Sequence, residues 1–411
     1  MTLPRLLFLA VLLVPASVSG QGGERIVGTV TTRAGEVHEG ALRFEGGAAA
    51  RIDPLTGRSA ADAEWEDRVL ASMGAEVDAR ARSVEFLGVR ITWEDDRGPS
   101  GSPRTALAVG DLESLVPDSD GGVQATLVGG ERVDFLDTFG WVEVEPAGGA
   151  VVRVEDDDIA SITFEPAGAA PDASARLAGV VEDRWGRRWE GPIVWARGQS
   201  LSTDSLRASD ARDRRRAFAF AELSAVEPVF GGGARVSTAD GSRYELEGSA
   251  DVERSARGVR VNDPVRGVAT IPWVDVRSAT FGPPLESSRP APVDRGPLAG
   301  AVRARDGRVL TGRIHWGDGT RSRWGYLSGY TRSVAVEVPL RAIERIERHT
   351  SKGGRLHLRG GAVLELRGGD FDPVRGPLVV ESDTGSLRVI EWRAVDSITF
   401  EVADGSGVDA G

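Results

Sequence analysis

Residues that could do acid–base or metal chemistry are few and scattered along this 411-residue chain. The four histidines, His38, His315, His349 and His357, include no pair at the spacing of metal ligands, and no HExxH sequence occurs. The absence of cysteine excludes disulfides, thiolate ligands and a thiol nucleophile. We therefore expect no cofactor and no catalytic site that is made from a local motif.

Acidic residues form one dense run, which spans 155–158. The carboxylates of Asp156, Asp157 and Asp158 are candidate ligands for Ca²⁺, which binds about six to eight oxygens. The run lacks the alternating spacing and the internal glycine of a calcium loop. The alternative is a plain turn, where aspartate is favoured because its side chain accepts hydrogen bonds from nearby backbone N–H groups.

Aromatic residues give a second candidate surface. The chain has ten tryptophans and only three tyrosines. Five aromatic side chains lie beside arginines in turns or loops, namely Trp185, Trp189, Trp324, Tyr326 and Tyr330. Exposed rings next to guanidinium groups can stack on sugars or hold peptide segments. In the alternative interpretation the same rings cover the end of a hydrophobic core.

The elements that must position these residues repeat along the chain. Three stretches open alike, carry glycines at equal offsets and end in Ser-x-Thr-Phe: Val27–Phe164, Ala178–Phe281 and Ala299–Phe400. We expect three tandem β-units over 24–164, 177–281 and 298–402. The segments 165–176 and 282–297 are predicted linkers, and 403–411 is a predicted disordered tail.

Inside each unit the apolar residues alternate with a period of two and are interrupted by glycine turns, which predicts β-hairpins. Each half of a unit also closes with apolar residues three apart, as in Leu340/Ile343/Ile346, a step that a single 3₁₀ turn produces. In this order of elements each half-unit resembles an SH3-like or Sm-like small barrel. The fold class is therefore all-β, with two such barrels per unit or, alternatively, one β-sandwich per unit.

The first unit departs from the repeat through an insertion over 45–103. Within it, residues 61–73 place Trp65, Val69, Leu70 and Met73 near one face of a helix, which predicts the one short helix of the chain. Insertions in repeat proteins often carry the specific function of the protein, but a plain elaboration of the fold is an equal alternative.

Residues 1–20 combine Arg5, a nine-residue apolar run and a small-residue end, which predicts a cleaved signal peptide. The protein is then secreted or periplasmic, and we expect no membrane insertion after the signal is removed. Residues 21–170 contain 13 arginines against 29 acidic residues, a net charge of −16, so the negative charge of the chain, −12 in all, is concentrated there. This balance disfavours nucleic acid as a partner.

The sequence therefore predicts an exported, non-enzymatic β-repeat protein that binds or scaffolds in the cell envelope or the extracellular space. SH3-like barrels of exported bacterial proteins often bind cell-wall or peptide ligands, so the resemblance implies an envelope protein, a peptide or a glycan as partner. One alternative is a secreted hydrolase that cuts glycans or peptides with two carboxylates, which need no local motif. The other is a purely structural spacer.

Overall fold

The residues that the computed structural model of the chain describes fall into three segments. The first segment is 25–57, 105–118, 121–136 and 139–166, with the backbone alone of 76–78, 83–86 and 89–92; the second is 175–196, 198–229, 232–249, 251–253 and 258–282; the third is 296–316, 322–372 and 378–401. These residues contain β-strands and 3₁₀ turns and no α-helix, so the prediction of an all-β chain is confirmed. The helix predicted over 61–73 lies outside the described residues.

No helix within the described ranges is long and apolar enough to cross a membrane.

The first segment contains thirteen strands. They are β1 (Val27–Thr32), β2 (Val37–Phe44), β3 (Pro54–Gly57), β4 (Glu76–Asp78), β5 (Ser83–Phe86), β6 (Val89–Thr92), β7 (Thr105–Ala108), β8 (Leu112–Pro117), β9 (Val123–Leu127), β10 (Arg132–Phe135), β11 (Trp141–Glu145), β12 (Val152–Glu155) and β13 (Ile159–Phe164). Strands β4, β5 and β6 form a small antiparallel sheet of their own inside the predicted insertion.

The second and third segments contain ten strands each. In the second segment these are β14 (Ala178–Asp183), β15 (Arg188–Trp195), β16 (Ser205–Asp210), β17 (Arg215–Ala219), β18 (Leu223–Pro228), β19 (Ala234–Thr238), β20 (Arg243–Glu247), β21 (Val259–Asp263), β22 (Gly267–Ile271) and β23 (Val276–Phe281). In the third segment they are β24 (Ala299–Ala304), β25 (Val309–His315), β26 (Tyr326–Thr331), β27 (Val334–Pro339), β28 (Ile343–Thr350), β29 (Gly353–Leu358), β30 (Val363–Arg367), β31 (Leu378–Glu381), β32 (Leu387–Ile390) and β33 (Val395–Phe400).

In each segment, strands of the first half pair with strands of the second half. In the second segment β15 does not pair with the next strand, β16, but with β21 from the other half, and β16 pairs with β20. The third segment repeats this pattern with β25–β31 and β26–β30, and the first segment with β2–β11. Backbone hydrogen bonds therefore interlock the halves, so that neither half builds its sheet from its own strands alone.

A 3₁₀ turn precedes the last strand of each half. The turns are Val109–Asp111, Asp156–Asp158, Phe220–Glu222, Trp273–Asp275, Leu340–Ala342 and Trp392–Ala394. In the third segment Leu340, Ile343 and Ile346 are all fully buried. The three-residue step read from the sequence is confirmed. Residues i and i+3 of a 3₁₀ turn lie on one side, which buries Leu340 and Ile343, and a β-bulge between Ile343 and Arg345 keeps Ile346 on that side.

Buried side chains form two cores. One core belongs to the first segment, with Trp324 of the third segment packed into it. The other core runs without interruption through the second and third segments, where β22 pairs with β27. Four tryptophans that recur at strand ends of the second and third segments lie in this core: Trp195, Trp273, Trp316 and Trp392. All three segments are therefore in contact.

Candidate functional site

A polar cleft of about 1070 Å³ lies between the first and second segments. Its floor is the outer face of β2, β11 and β12. Because side chains on adjacent strands stand opposite each other, Glu143 of β11 lies between Arg43 of β2 and Arg153 of β12. The alternation that buries Val142 and Val144 in the core turns Trp141, Glu143 and Glu145 toward the cleft.

The opposite wall comes from two stretches of the second segment: the loop before β16 with the start of that strand, and the residues that follow β20. Asp251, which is 5% exposed, joins the two stretches. Its carboxylate accepts hydrogen bonds from Gln199 Nε2 at 3.1 Å and from the Arg207 backbone N–H at 3.0 Å. Its backbone oxygen accepts a 2.9 Å bond from Trp195 Nε1. A buried tryptophan of the core thus fixes the wall, so the cleft is preformed.

The two sides of the cleft are clamped by Arg43 and Asp204. The guanidinium donates to both carboxylate oxygens, at 2.6 and 3.0 Å, in a bidentate pair. The Asp204 carboxylate also accepts the backbone N–H groups of Ser200 and Leu201 at 2.7 and 2.9 Å. Burial raises the pKa of Asp204, but Arg43 and these N–H groups outweigh it, so the pKa lies below its usual value. Asp204 is therefore held ionised and does not suit the role of a general acid.

A second ion pair across the same junction is buried. Arg176 Nε donates to Asp53 at 2.7 Å, and both side chains are 4% exposed. Arg176 also donates to the carbonyls of Leu177, Ile193 and Ser200, while Asp53 accepts the N–H groups of Ala49 and Ala50 at 2.9 Å. Both carboxylate oxygens of Asp53 and the Nε and Nη1 atoms of Arg176 have partners, which is the condition under which a buried pair is tolerated.

Backbone packing at this junction is equally close. Gly47 has φ +87°, and a Cβ atom there would lie 2.7 Å from the Gly198 carbonyl oxygen and 2.8 Å from Val194. The two segments therefore meet in direct van der Waals contact beside the cleft. Position 47 requires glycine, because a Cβ atom there would overlap atoms of the second segment.

Three charged side chains of the cleft have no hydrogen bond or ion pair to any described residue: Glu143, Glu253 and the guanidinium of Arg207. The half-buried indole ring of Trp141 lies beside them, with the Arg153 guanidinium 4.2 Å from its centroid. The arrangement can accept and donate hydrogen bonds and can offer an apolar ring to a ligand.

The aromatic residues singled out by sequence lie elsewhere. Trp185 is 36% exposed, with Arg184 and Arg187 over its ring at 4.5 and 5.2 Å. Trp189 and Trp324 are 1% and 4% exposed, so neither ring is available to a ligand at the surface. Tyr326 and Tyr330 are partly buried on β26.

These five aromatics are brought together only in part. Arg187, next to the Trp185 turn, donates to the side chain and the carbonyl of Thr331, the residue after Tyr330. Trp324 instead packs against the first core, and Trp189 lies in the second. None of the five lines the polar cleft.

Asp156, Asp157 and Asp158 form the 3₁₀ turn before β13. Asp156 accepts the backbone N–H of Asp157 at 3.0 Å, the local bond that the turn interpretation predicts. In the described part of the chain no three histidine or acidic side chains are grouped so that they could hold a metal ion.

Sequence reasoning missed the residues that build the cleft, because their partners are far away along the chain. Arg43 and Asp204 are 161 residues apart, and Arg176 and Asp53 are 123 apart. The repeat contains one signal, an aspartate at the same place in two segments. Asp53 and Asp204 each accept backbone N–H groups of the loop after the second strand of their segment. Each also lies three positions after a residue in an isolated β-bridge, Ala50 or Leu201. A charge retained at one position in two repeats marks a shared structural role.

Comparisons with protein-family models, with curated proteins and with solved structures found no match to this chain.

Proposed function

We propose that the protein is an exported, non-enzymatic β-repeat protein that binds a polar ligand, a glycan or peptide of the cell envelope, in the cleft between its first and second segments. The observation that carries the proposal is that the half-buried Trp141 lines a cleft of about 1070 Å³ together with the unpaired Glu143, Glu253 and Arg207. Small-molecule sites combine an apolar ring with a few fixed polar groups in the same way.

Charge supports a neutral or mixed-charge ligand over a polyanion. Arginine and acidic side chains alternate across the floor, and the clamp between Arg43 and Asp204 neutralises both partners. A phosphate-rich ligand would meet the unpaired carboxylates of Glu143 and Glu253 in the cleft, with the Arg207 guanidinium as the one unpaired cation among the described lining residues, at a cost in desolvation and repulsion.

The test is a binding screen of the full chain against soluble cell-wall glycans and peptides by calorimetry, followed by the variant Trp141→Ala. We expect at least about tenfold weaker binding, because aromatic anchors in clefts commonly supply about 2 kcal/mol or more. The matched control is Trp185→Ala, since Trp185 is also partly exposed and stacked on arginines but lies outside the cleft.

Two results would redirect the proposal. Loss of binding in Trp185→Ala with full binding in Trp141→Ala would move the ligand to the β14–β15 turn. Cleavage of the bound glycan or peptide, abolished in Glu143→Gln, would make the chain the carboxylate-dependent hydrolase instead.

For the fold we propose that each segment closes as two small SH3-like barrels that have exchanged strands. The pairings of the second segment support it, because they order five strands as β22–β21–β15–β14–β23 and five as β17–β16–β20–β19–β18. Since the chain has no cysteine, an introduced pair is a clean probe.

We expect Val194→Cys/Arg260→Cys, which stand opposite each other in β15 and β21, to form a disulfide in the folded chain. The control Val194→Cys/Arg207→Cys joins β15 to β16, which would be neighbours if each half were its own barrel. A disulfide in the control alone would show that the strands are not exchanged.

A further inference from the structure

The charges that the cleft leaves unpaired indicate which ligand groups it can satisfy. Glu143 lies on the floor and Glu253 on the opposite wall, and both side chains are half-buried. Neither carboxylate has a hydrogen bond or an ion pair to a residue that the structure describes. A half-buried carboxylate has lost part of its hydration, so a cationic group that enters the cleft compensates it.

The other charged groups of the cleft are already paired. Three arginines of its lining are held in ion pairs: Arg25 with Glu145, Arg43 with Asp204 and Arg153 with Glu155. Arg43 and Arg153 flank Glu143 on the neighbouring strands, yet each of them binds a different carboxylate. A cationic ligand group can therefore meet Glu143 and Glu253 without breaking an existing pair.

Arg207 supplies the opposite charge on the same wall as Glu253. Its side chain is exposed on β16, and its backbone N–H donates to the Asp251 carboxylate at 3.0 Å. Because Asp251 precedes Glu253 by two residues, this bond holds Arg207 and Glu253 on one wall, although their side chains form no ion pair with each other. The wall therefore presents a separate positive and a separate negative group to a ligand.

We propose that the ligand of the cleft is a peptide segment that has both a lysine-type amine and a free carboxylate. The ammonium group pairs with the carboxylates of Glu143 and Glu253, and the ligand carboxylate pairs with the Arg207 guanidinium. The methylene groups of the amine side chain contact the half-buried Trp141 ring, since such chains pack on apolar surfaces while their charge stays polar-solvated. This inference rests on the proposed function and narrows its ligand from a glycan or peptide to a zwitterionic peptide.

A neutral glycan satisfies the same groups less well. Its hydroxyl groups can donate to Glu143 and Glu253, but they bring no positive charge to offset the two carboxylates once the ligand excludes water. It also brings no anion for Arg207. Complementary charge on the ligand is what discriminates between the two classes.

The test is calorimetry of the full chain with a short peptide that has a central lysine, an acetylated N-terminus and a free C-terminal carboxylate. Two modified forms are compared with it, one acetylated at the lysine Nζ and one with a C-terminal amide. A neutral oligosaccharide of N-acetylglucosamine is the glycan probe. We expect each modification to weaken binding at least about tenfold, because each removes a hydrogen bond between oppositely charged groups.

Variants then assign each ligand group to a side chain. In Glu253→Gln the preference for the free amine over the acetylated amine should shrink, while the preference for the free carboxylate stays. In Arg207→Gln the preference for the carboxylate should shrink and that for the amine should stay. Arg207→Glu should bind the amide more tightly than the carboxylate, a reversal that mere loss of structure does not produce. Circular dichroism is expected to show an unchanged fold, because neither side chain has a hydrogen bond or ion pair to a described residue.

The matched controls are Glu337→Gln, at a half-buried glutamate of β27, and Arg388→Gln, at an exposed arginine of β32, since neither residue lines the cleft. Both preferences should stay as in the natural chain. Absence of binding of the unmodified peptide, equal binding of its three forms, or equal changes in the controls overturns this inference. If the oligosaccharide then binds and Trp141→Ala weakens it, the proposed function stands with a glycan as ligand. If Trp141→Ala weakens the binding of no peptide and no glycan, the proposed function itself fails.

Discussion

Replacement of Arg176 by methionine tests how the first and second segments are held together. The substitution removes a charge whose side chain is 4% exposed and keeps most of its volume. It leaves the Asp53 carboxylate buried with only the N–H groups of Ala49 and Ala50 as partners. It also removes the donor from the carbonyls that Arg176 binds, including Ser200 at 2.7 Å.

The expected loss follows from this geometry. Breaking a buried ion pair by removing one partner costs about 3–5 kcal/mol, because the remaining charge stays desolvated. We expect Arg176→Met to lower the free energy of unfolding by at least about 3 kcal/mol. The double variant Arg176→Met/Asp53→Asn removes the orphan charge, so its cost should fall short of the sum of the two single variants by at least about 1 kcal/mol.

The assay is urea unfolding of the full chain, followed by the fluorescence of its buried tryptophans and by circular dichroism. The control is Arg308→Met, because Arg308 pairs with Asp306 at 2.7 Å on the surface, where the side chains are 75% and 52% exposed. An exposed pair contributes about 0–1 kcal/mol. A loss below about 1 kcal/mol for Arg176→Met, or strictly additive losses in the double variant, would refute the reasoning.

Three further predictions concern single positions. Despite its burial, the Asp204 carboxylate has a pKa below its usual 3.8, because Arg43 pairs with it. The ionised group therefore stabilises the fold above its unfolded pKa, and this contribution is lost as pH falls through the lower folded value. We expect Asp204→Asn to lose less stability than the natural chain below about pH 4, as measured by urea unfolding. Gly47→Ala should cost clearly more than Gly35→Ala, since both have φ near +85° but only Gly47 has neighbours within 3 Å of the added Cβ, and thermal unfolding of the two variants compares them. Trp189→Ala should cost about 3–5 kcal/mol in urea unfolding because the ring is 1% exposed, and a loss under 1 kcal/mol would contradict its place in the core.

Much of the local structure could be predicted from sequence. The glycine turns at Gly186 and Gly307 lie in hairpins, with φ of +83° and +87°, and the apolar steps before the closing strands are 3₁₀ turns. The burial of Trp195 and Trp316 also follows from their repeated positions. These features depend on residues a few positions apart, where periodicity and turn chemistry are decisive.

The candidate site could not be predicted in this way. The aromatics chosen for their arginine neighbours include Trp189 and Trp324, which the fold buries. No sequence pattern marks Trp141 as a site residue, because only the neighbouring residues of the second segment turn the face of β11 into the floor of a cleft. Whether a tryptophan beside a turn lies in the core or at the surface depends on which sheet closes over it, and its sequence neighbours do not encode that.

By itself the sequence determined the strands, their faces, the 3₁₀ turns and the threefold repetition, since each of these depends on side-chain periodicity within one element. Only the tertiary structure decided which edges pair. A strand edge presents the same backbone N–H and C=O groups whatever its sequence, so β15 could pair equally well with β16 or with β21 until the whole segment packs. The pairing of β15 with β21, the clamp of Arg43 on Asp204 and the cleft between the first two segments all follow from that choice.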